Sequence, residues 1–143
     1  MPGPQQMANV PMLHRFLAIG ATLLFLMFLG LKVAGIAPLL REDPELTRTI
    51  GYVLTGVVAM MVAVALLVLK PRAPERSPGQ SVDQYWATTT IAQKVLMVWL
   101  VLEGAAALAS VGFALTAEPA VGGVAAIAIA TFWMNSPDAF AKP

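Results

Sequence analysis

Apolar residues occur in four long runs, and short polar segments separate them. The runs lie at about 16–40, 49–69, 90–117 and 119–135. A helix needs about 20 such residues to cross roughly 30 Å of hydrocarbon, and the first three runs reach that length. The fourth run is the shortest and is rich in alanine and glycine, so it would depend on its neighbours to stay inserted. The pattern predicts four membrane-spanning helices.

The segments between the runs carry signals that begin helices or interrupt them. The Asp-Pro-Glu sequence at 43–45 suits the first turn of a helix, because each residue type is favoured there. Ser81 and Gln84 have the spacing of a capping box, which predicts a short helix at the membrane surface. Three prolines between 70 and 79 predict that the loop over 70–89 begins as an extended segment.

Composition supports the membrane assignment and excludes several kinds of site. Of the 143 residues, 58% are hydrophobic and 12% are charged, about half the charge of an ordinary soluble domain. Without cysteine the chain forms no disulfide, iron–sulfur cluster or thiolate zinc site, and its single histidine cannot build a bis-histidine haem site. We therefore expect no metal site, and no cofactor bound by this chain alone. The net charge of +1, with no dense basic stretch, is not typical of a protein that binds nucleic acid.

The distribution of basic residues predicts how the helices are oriented. Six basic residues fall on the side of the termini, whereas three fall on the other side beside several acids. The first group is Arg15, Lys70, Arg72, Arg76, Lys94 and Lys142, and the second is Lys32, Arg41 and Arg48. The positive-inside rule then places both termini and the 70–89 loop in the cytoplasm.

These observations predict an all-α fold. We expect a single membrane domain over 1–143, an integral membrane four-helix bundle made of two antiparallel transmembrane hairpins. It would be a multi-pass protein of the cell membrane. The lack of cysteine and the compact loops favour a bacterial inner membrane.

Glu103 is the most informative residue for function, because it is the only charged residue between Val95 and Ala117, the uninterrupted part of the third run. A charged group at the centre of a bilayer costs about 2.5–3.5 kcal/mol, so Glu103 should face protein and not lipid. Three interpretations stay open. Its protonated carboxyl could hydrogen-bond Ser110 or Thr131, it could meet a basic group, pigment, quinone or lipid at a partner protein, or it could carry protons or a cation.

Other residues are candidates for contacts with lipid or with a partner. Lys32 could extend to the outer headgroups or touch a partner. His14 could ligate a partner-supplied haem or pigment. The remaining candidates lie in the loop or near the inner interface, and they are Arg72, Arg76, Trp86 and Trp133.

The sequence favours a structural function over catalysis. It contains no paired acids and no His/Asp/Ser set at one height, so we do not expect an enzyme. The leading hypothesis is a small accessory subunit that helps to assemble a larger membrane complex and seals contacts with helices, lipid or pigment. Its partners would be membrane lipids and other membrane-protein subunits. The alternative is a small transporter or channel component that uses Glu103 as a proton or cation site and acts as an oligomer.

Overall fold

A computed structural model describes residues 9–40 and 43–142, and this part of the chain is helical with no strand. Three of its helices are long and apolar enough to cross a membrane, and a fourth is apolar but shorter. This confirms the helical class that the sequence predicts. In chain order the helices are α1 (Val10–Val33), α2 (Pro44–Val64, continued by a π-helical segment Ala65–Leu69), α3 (Val82–Thr88), α4 (Ala92–Thr116), α5 (Pro119–Met134) and α6 (Pro137–Phe140).

Two of the predicted helix starts are formed as the sequence indicates. The side chain of Asp43 accepts hydrogen bonds of 3.0 Å from the backbone N–H groups of Glu45 and Leu46. At α3, Ser81 and Gln84 exchange both bonds of a capping box. These acceptors satisfy N–H groups that the first helical turn leaves free.

Helix α1 ends well before the apolar run that contains it. The run continues to Leu40, but the helix stops at Val33, and Gly35 then adopts a left-handed conformation with φ of +73°. That conformation is common for glycine and ends a helix. The residues after Gly35 do not continue the helix. Instead, the N–H groups of Leu39 and Leu40 donate to the carbonyls of Ala114 and Leu115 at the end of α4. Arg41, which follows them, lies outside the described residues.

Helix α4 is the central element of the fold. Half of its most apolar stretch is buried, against 11% for α1 and 17% for α2. It packs against α1, α2 and α5, and α2 also packs against α5. Within the described residues, α1 and α2 share no substantial interface. The expected hairpin of the first two spans is therefore not a packed pair, because each of them rests mainly on α4.

Contacts between distant residues show which helix ends lie together. His14 near the start of α1 touches Trp99 near the start of α4, and Lys32 near the end of α1 reaches Ala117 just beyond α4. The two helices therefore run in the same direction. We call the end with the starts of α1 and α4 the terminal end, and the end with Ala117 the turn end.

Helices α4 and α5 join through a tight turn and then approach each other closely. Ala117 lies in the left-handed region with φ of 52°, and its N–H donates to the carbonyl of Phe113 at 2.7 Å. One turn into α5, a Cβ atom added at Gly122 would lie 2.9 Å from the Phe113 ring. Phe113 is itself held by the ring of Phe25 and by the ammonium of Lys32. The absence of a side chain at Gly122 therefore permits the close packing.

This packing predicts opposite effects at two adjacent glycines. We expect Gly122→Ala to lower the free energy of unfolding in detergent micelles by about 1–2 kcal/mol, because the Phe113 ring must move. Gly123 has open space around it, so Gly123→Ala should instead be neutral or raise stability by up to about 1 kcal/mol through helix propensity. Equal effects of the two substitutions would contradict the predicted contact.

Candidate functional site

One side of α4 is left uncovered between α1 and α2. Its residues recur at intervals of three and four, so they lie on one face of the helix. We call this the open face of α4, and it consists of Met97, Leu100, Glu103, Gly104, Ala107, Leu108 and Val111, all of them exposed or half-buried. Helix α4 is central to the fold, yet its open face, which has small residues in the middle, is exposed to the surroundings of the protein.

Glu103 lies at the edge of this open face and is half-buried. Among residues 9–40 and 43–142, it has no hydrogen bond and no ion pair. The Ser110 hydroxyl donates to the carbonyl of Ala106 at 2.7 Å, and the hydroxyl of Thr131 forms no hydrogen bond with Glu103. Within the described residues, the carboxyl of Glu103 is therefore not bonded to either residue that the sequence analysis grouped with it.

Lys32 has a partner within the chain. Its ammonium donates to the carbonyl of Ala117 at 2.9 Å and lies 4.9 Å from the centre of the Phe113 ring. A cation at the C-terminal end of a helix is stabilised by the helix dipole and satisfies a carbonyl that the helix leaves free. The sequence analysis missed this role, because the partner carbonyl is 85 residues away in the chain.

At the terminal end, His14 is almost fully buried in an aromatic cluster. Its ring centre lies 4.7 Å from that of Trp99 and 4.9 Å from that of Phe132. Its Nε2 is 3.1 Å from the carbonyl oxygen of Phe132, and since a carbonyl only accepts, Nε2 donates this bond. Nδ1 is the nitrogen left for any further bond.

Trp86 and Trp99 extend this cluster and are both completely buried. The indole N–H of Trp99 donates to the carbonyl of Asn135 at 2.6 Å. Within the described chain, the indole nitrogen of Trp86 and the Oδ1 atom of Asn135 are buried without a hydrogen-bond partner.

The loop and the C-terminal segment close over the aromatic cluster. The N–H of Arg76 donates to the carbonyl of Lys142 at 2.9 Å, and the hydroxyl of Tyr85 donates to the carbonyl of Pro74 at 3.1 Å. Arg72 is exposed, and Arg76 is half-buried. The loop over 70–89 is thus attached to the rest of the protein by the Arg76–Lys142 bond and by the packing of Trp86 against Trp99 and Phe140.

Several cavities within the described residues lie at the two ends of the helices. Three of about 400, 450 and 510 Å³ are at the terminal end, and one of about 270 Å³ is at the turn end. The 510 Å³ cavity is lined by both polar and apolar residues, and these are Pro11, His14, Arg15, Val82, Asp83, Trp133, Ser136, Pro137 and Asp138. Glu103 lines none of the four, although Met97 at one end of the open face lines the 450 Å³ cavity.

Nothing in the described ranges brings together three residues of the types that hold a metal ion. His14 is the one candidate haem or pigment ligand, and its Nε2 already donates to Phe132. Any ligation by His14 would therefore have to use Nδ1.

The two indole hydrogen bonds at the terminal end predict different effects of the same substitution. Trp99→Phe should lower the free energy of unfolding by about 2–3 kcal/mol, because it leaves the buried carbonyl of Asn135 unpaired. Trp133 is 42% exposed and donates to the hydroxyl of Thr22 at 3.1 Å, so Trp133→Phe should cost less than about 1 kcal/mol. Thermal unfolding in micelles measures both, and a Trp99→Phe loss no larger than that of Trp133→Phe would contradict the assignment.

Comparison with known proteins does not connect this fold to a family. No protein-family model, no curated protein and no solved structure matches the chain. A function is therefore argued from the residues and contacts described above.

Proposed function

We propose that this chain is a small accessory subunit of a larger membrane protein complex. Its helices would form a multi-pass bundle in a bacterial inner membrane, with both termini in the cytoplasm. The open face of α4 would be the surface that contacts the neighbouring subunit. The half-buried, unpaired Glu103 is the observation that carries this proposal.

The argument rests on the energetic cost of an ionisable group inside a membrane. Such a side chain costs about 2.5–3.5 kcal/mol near the bilayer centre unless it finds a polar partner. Glu103 is well inside α4, and the described residues offer it no such partner. A hydrogen-bond donor or a cation from another protein would remove this cost.

The residues beside Glu103 suit the close approach of another helix. Gly104 and Ala107 lie on the same face and carry little or no side chain. Small residues allow helix backbones to approach each other in membranes, where packing drives association. Helix α2 borders this face, because a Cβ atom added at Gly104 would lie 3.7 Å from the Met61 side chain, so a helix from a partner would pack beside α2.

The alternative is a transporter or channel component in which Glu103 binds a proton or a cation. Its partial exposure on the open face also suits that function, because a neighbouring copy could complete a pathway there. The accessory subunit is favoured because the four cavities lie at the helix ends and away from Glu103.

The test is isolation of the chain, at its native expression level, from the membranes of its source. We expect an affinity-tagged chain, extracted in a mild detergent, to migrate on a native gel with larger membrane proteins at a fixed stoichiometry, as identified by mass spectrometry. Glu103→Leu should lower the recovery of these proteins by about tenfold or more, because the partner loses its polar contact. Glu103→Gln should retain most of it, since an amide still forms hydrogen bonds.

The matched control is Glu75→Leu, which removes an exposed carboxylate from the loop. It should leave the recovery of partners unchanged. Migration of the unsubstituted chain alone, or only with copies of itself, would contradict the accessory function. A loss of proton-coupled flux in liposomes on Glu103→Gln would then support the alternative.

A further inference from the structure

A groove of about 450 Å³ lies at the terminal end, where α2 finishes and α4 begins. Its lining residues come from both helices and from the first residues of the loop, and they are Val68, Leu69, Lys70, Pro71, Gln93, Lys94 and Met97. The two helices that form it, Pro44–Leu69 and Ala92–Thr116, are long and apolar enough to cross a membrane. The groove would therefore lie at the boundary between hydrocarbon and headgroups.

The groove has an apolar part and a polar part. Val68 is 73% exposed and Met97 is 54% exposed, so neither side chain is covered by the rest of the chain. Lys70 and Lys94 are also exposed, and both lie nearer the loop, since Lys70 is two positions after Val68 and Lys94 is three positions before Met97. This arrangement matches an amphiphile with a hydrocarbon tail beneath a headgroup.

The charge at the groove is entirely positive. No aspartate or glutamate lines it, and neither lysine forms an ion pair within residues 9–40 and 43–142. The Lys70 ammonium lies 5.5 Å from the centre of the Phe140 ring, a contact that leaves its charge unneutralised. Phe140 and Glu75 line the neighbouring 400 Å³ cavity, which Lys70 also lines, and Glu75 is an acid that could compete for it there.

We propose that this groove binds one anionic phospholipid. The phosphate would interact with Lys70 and Lys94, and an acyl chain would lie along Val68, Leu69 and Met97. A basic residue near a membrane surface contributes about 1 kcal/mol to the binding of anionic lipid. Two lysines on one groove therefore give a preference for anionic over zwitterionic lipid that scattered surface charges do not.

The test uses the full chain in nanodiscs that contain equal amounts of phosphatidylglycerol and phosphatidylcholine. After release into a mild detergent, native mass spectrometry counts the lipids that stay bound. We expect one retained phosphatidylglycerol for each chain. We expect Lys70→Gln with Lys94→Gln to reduce its excess over phosphatidylcholine by roughly tenfold or more.

Two control variants separate the groove from general surface charge. Arg72→Gln with Arg76→Gln removes the same charge from the same loop but does not touch the groove, and it should leave the preference unchanged. Lys70→Arg with Lys94→Arg keeps the charge and should keep the preference, which excludes misfolding as the cause of a loss. Equal retention of the two lipids by the unsubstituted chain would overturn the proposal. An equal loss of preference in the Lys70→Gln, Lys94→Gln variant and in the Arg72→Gln, Arg76→Gln variant would also overturn it.

Discussion

The carbonyl groups at the C-terminal end of α4 need donors from elsewhere in the chain, and meeting that need fixes the arrangement of the other helices. The carbonyls of Ala114 and Leu115 accept from the backbone after α1, and the carbonyl of Ala117 accepts from Lys32. In an apolar environment each unsatisfied backbone group costs several kcal/mol. The end of α1 and the segment that follows it are therefore held against α4 at the turn end.

Helix α1 is also held at the terminal end, because His14 donates to the carbonyl of Phe132 and packs against Trp99. Between these two points α1 buries little of its surface. The polar contacts at its two ends thus position α1, whose apolar surface mostly faces outward. Helix α4 can then be central to the fold and still keep one side open.

The sequence predicted the features that depend on neighbouring residues. The helix starts at Asp43 and Ser81 were predictable because each cap uses atoms within three positions. The partner of Lys32 and the placement of α1 beside α4 depend on contacts between distant residues, which apolar periodicity does not encode. For the same reason the sequence identified Glu103 but not the side of α4 that it occupies. It also did not show that the Ser110 hydroxyl would bond the backbone carbonyl of Ala106 within its own helix.

The open face of α4 and the lysine groove would give the protein two distinct contacts with its surroundings. The open face would meet a neighbouring protein through Glu103 and small residues. The groove would hold a lipid at the membrane boundary, close to the loop that covers the aromatic cluster.

The most direct test of the accessory function is photo-crosslinking in intact cells from two positions, one on the open face of α4 and one on a different exposed surface. A photoreactive residue at Ala107 lies on the open face, and one at Ile127 lies on the exposed side of α5. The account predicts that Ala107 gives one discrete crosslinked product with a larger membrane protein and that Ile127 does not. Crosslinks from Ala107 to lipid alone, or the same products from both positions, would contradict it.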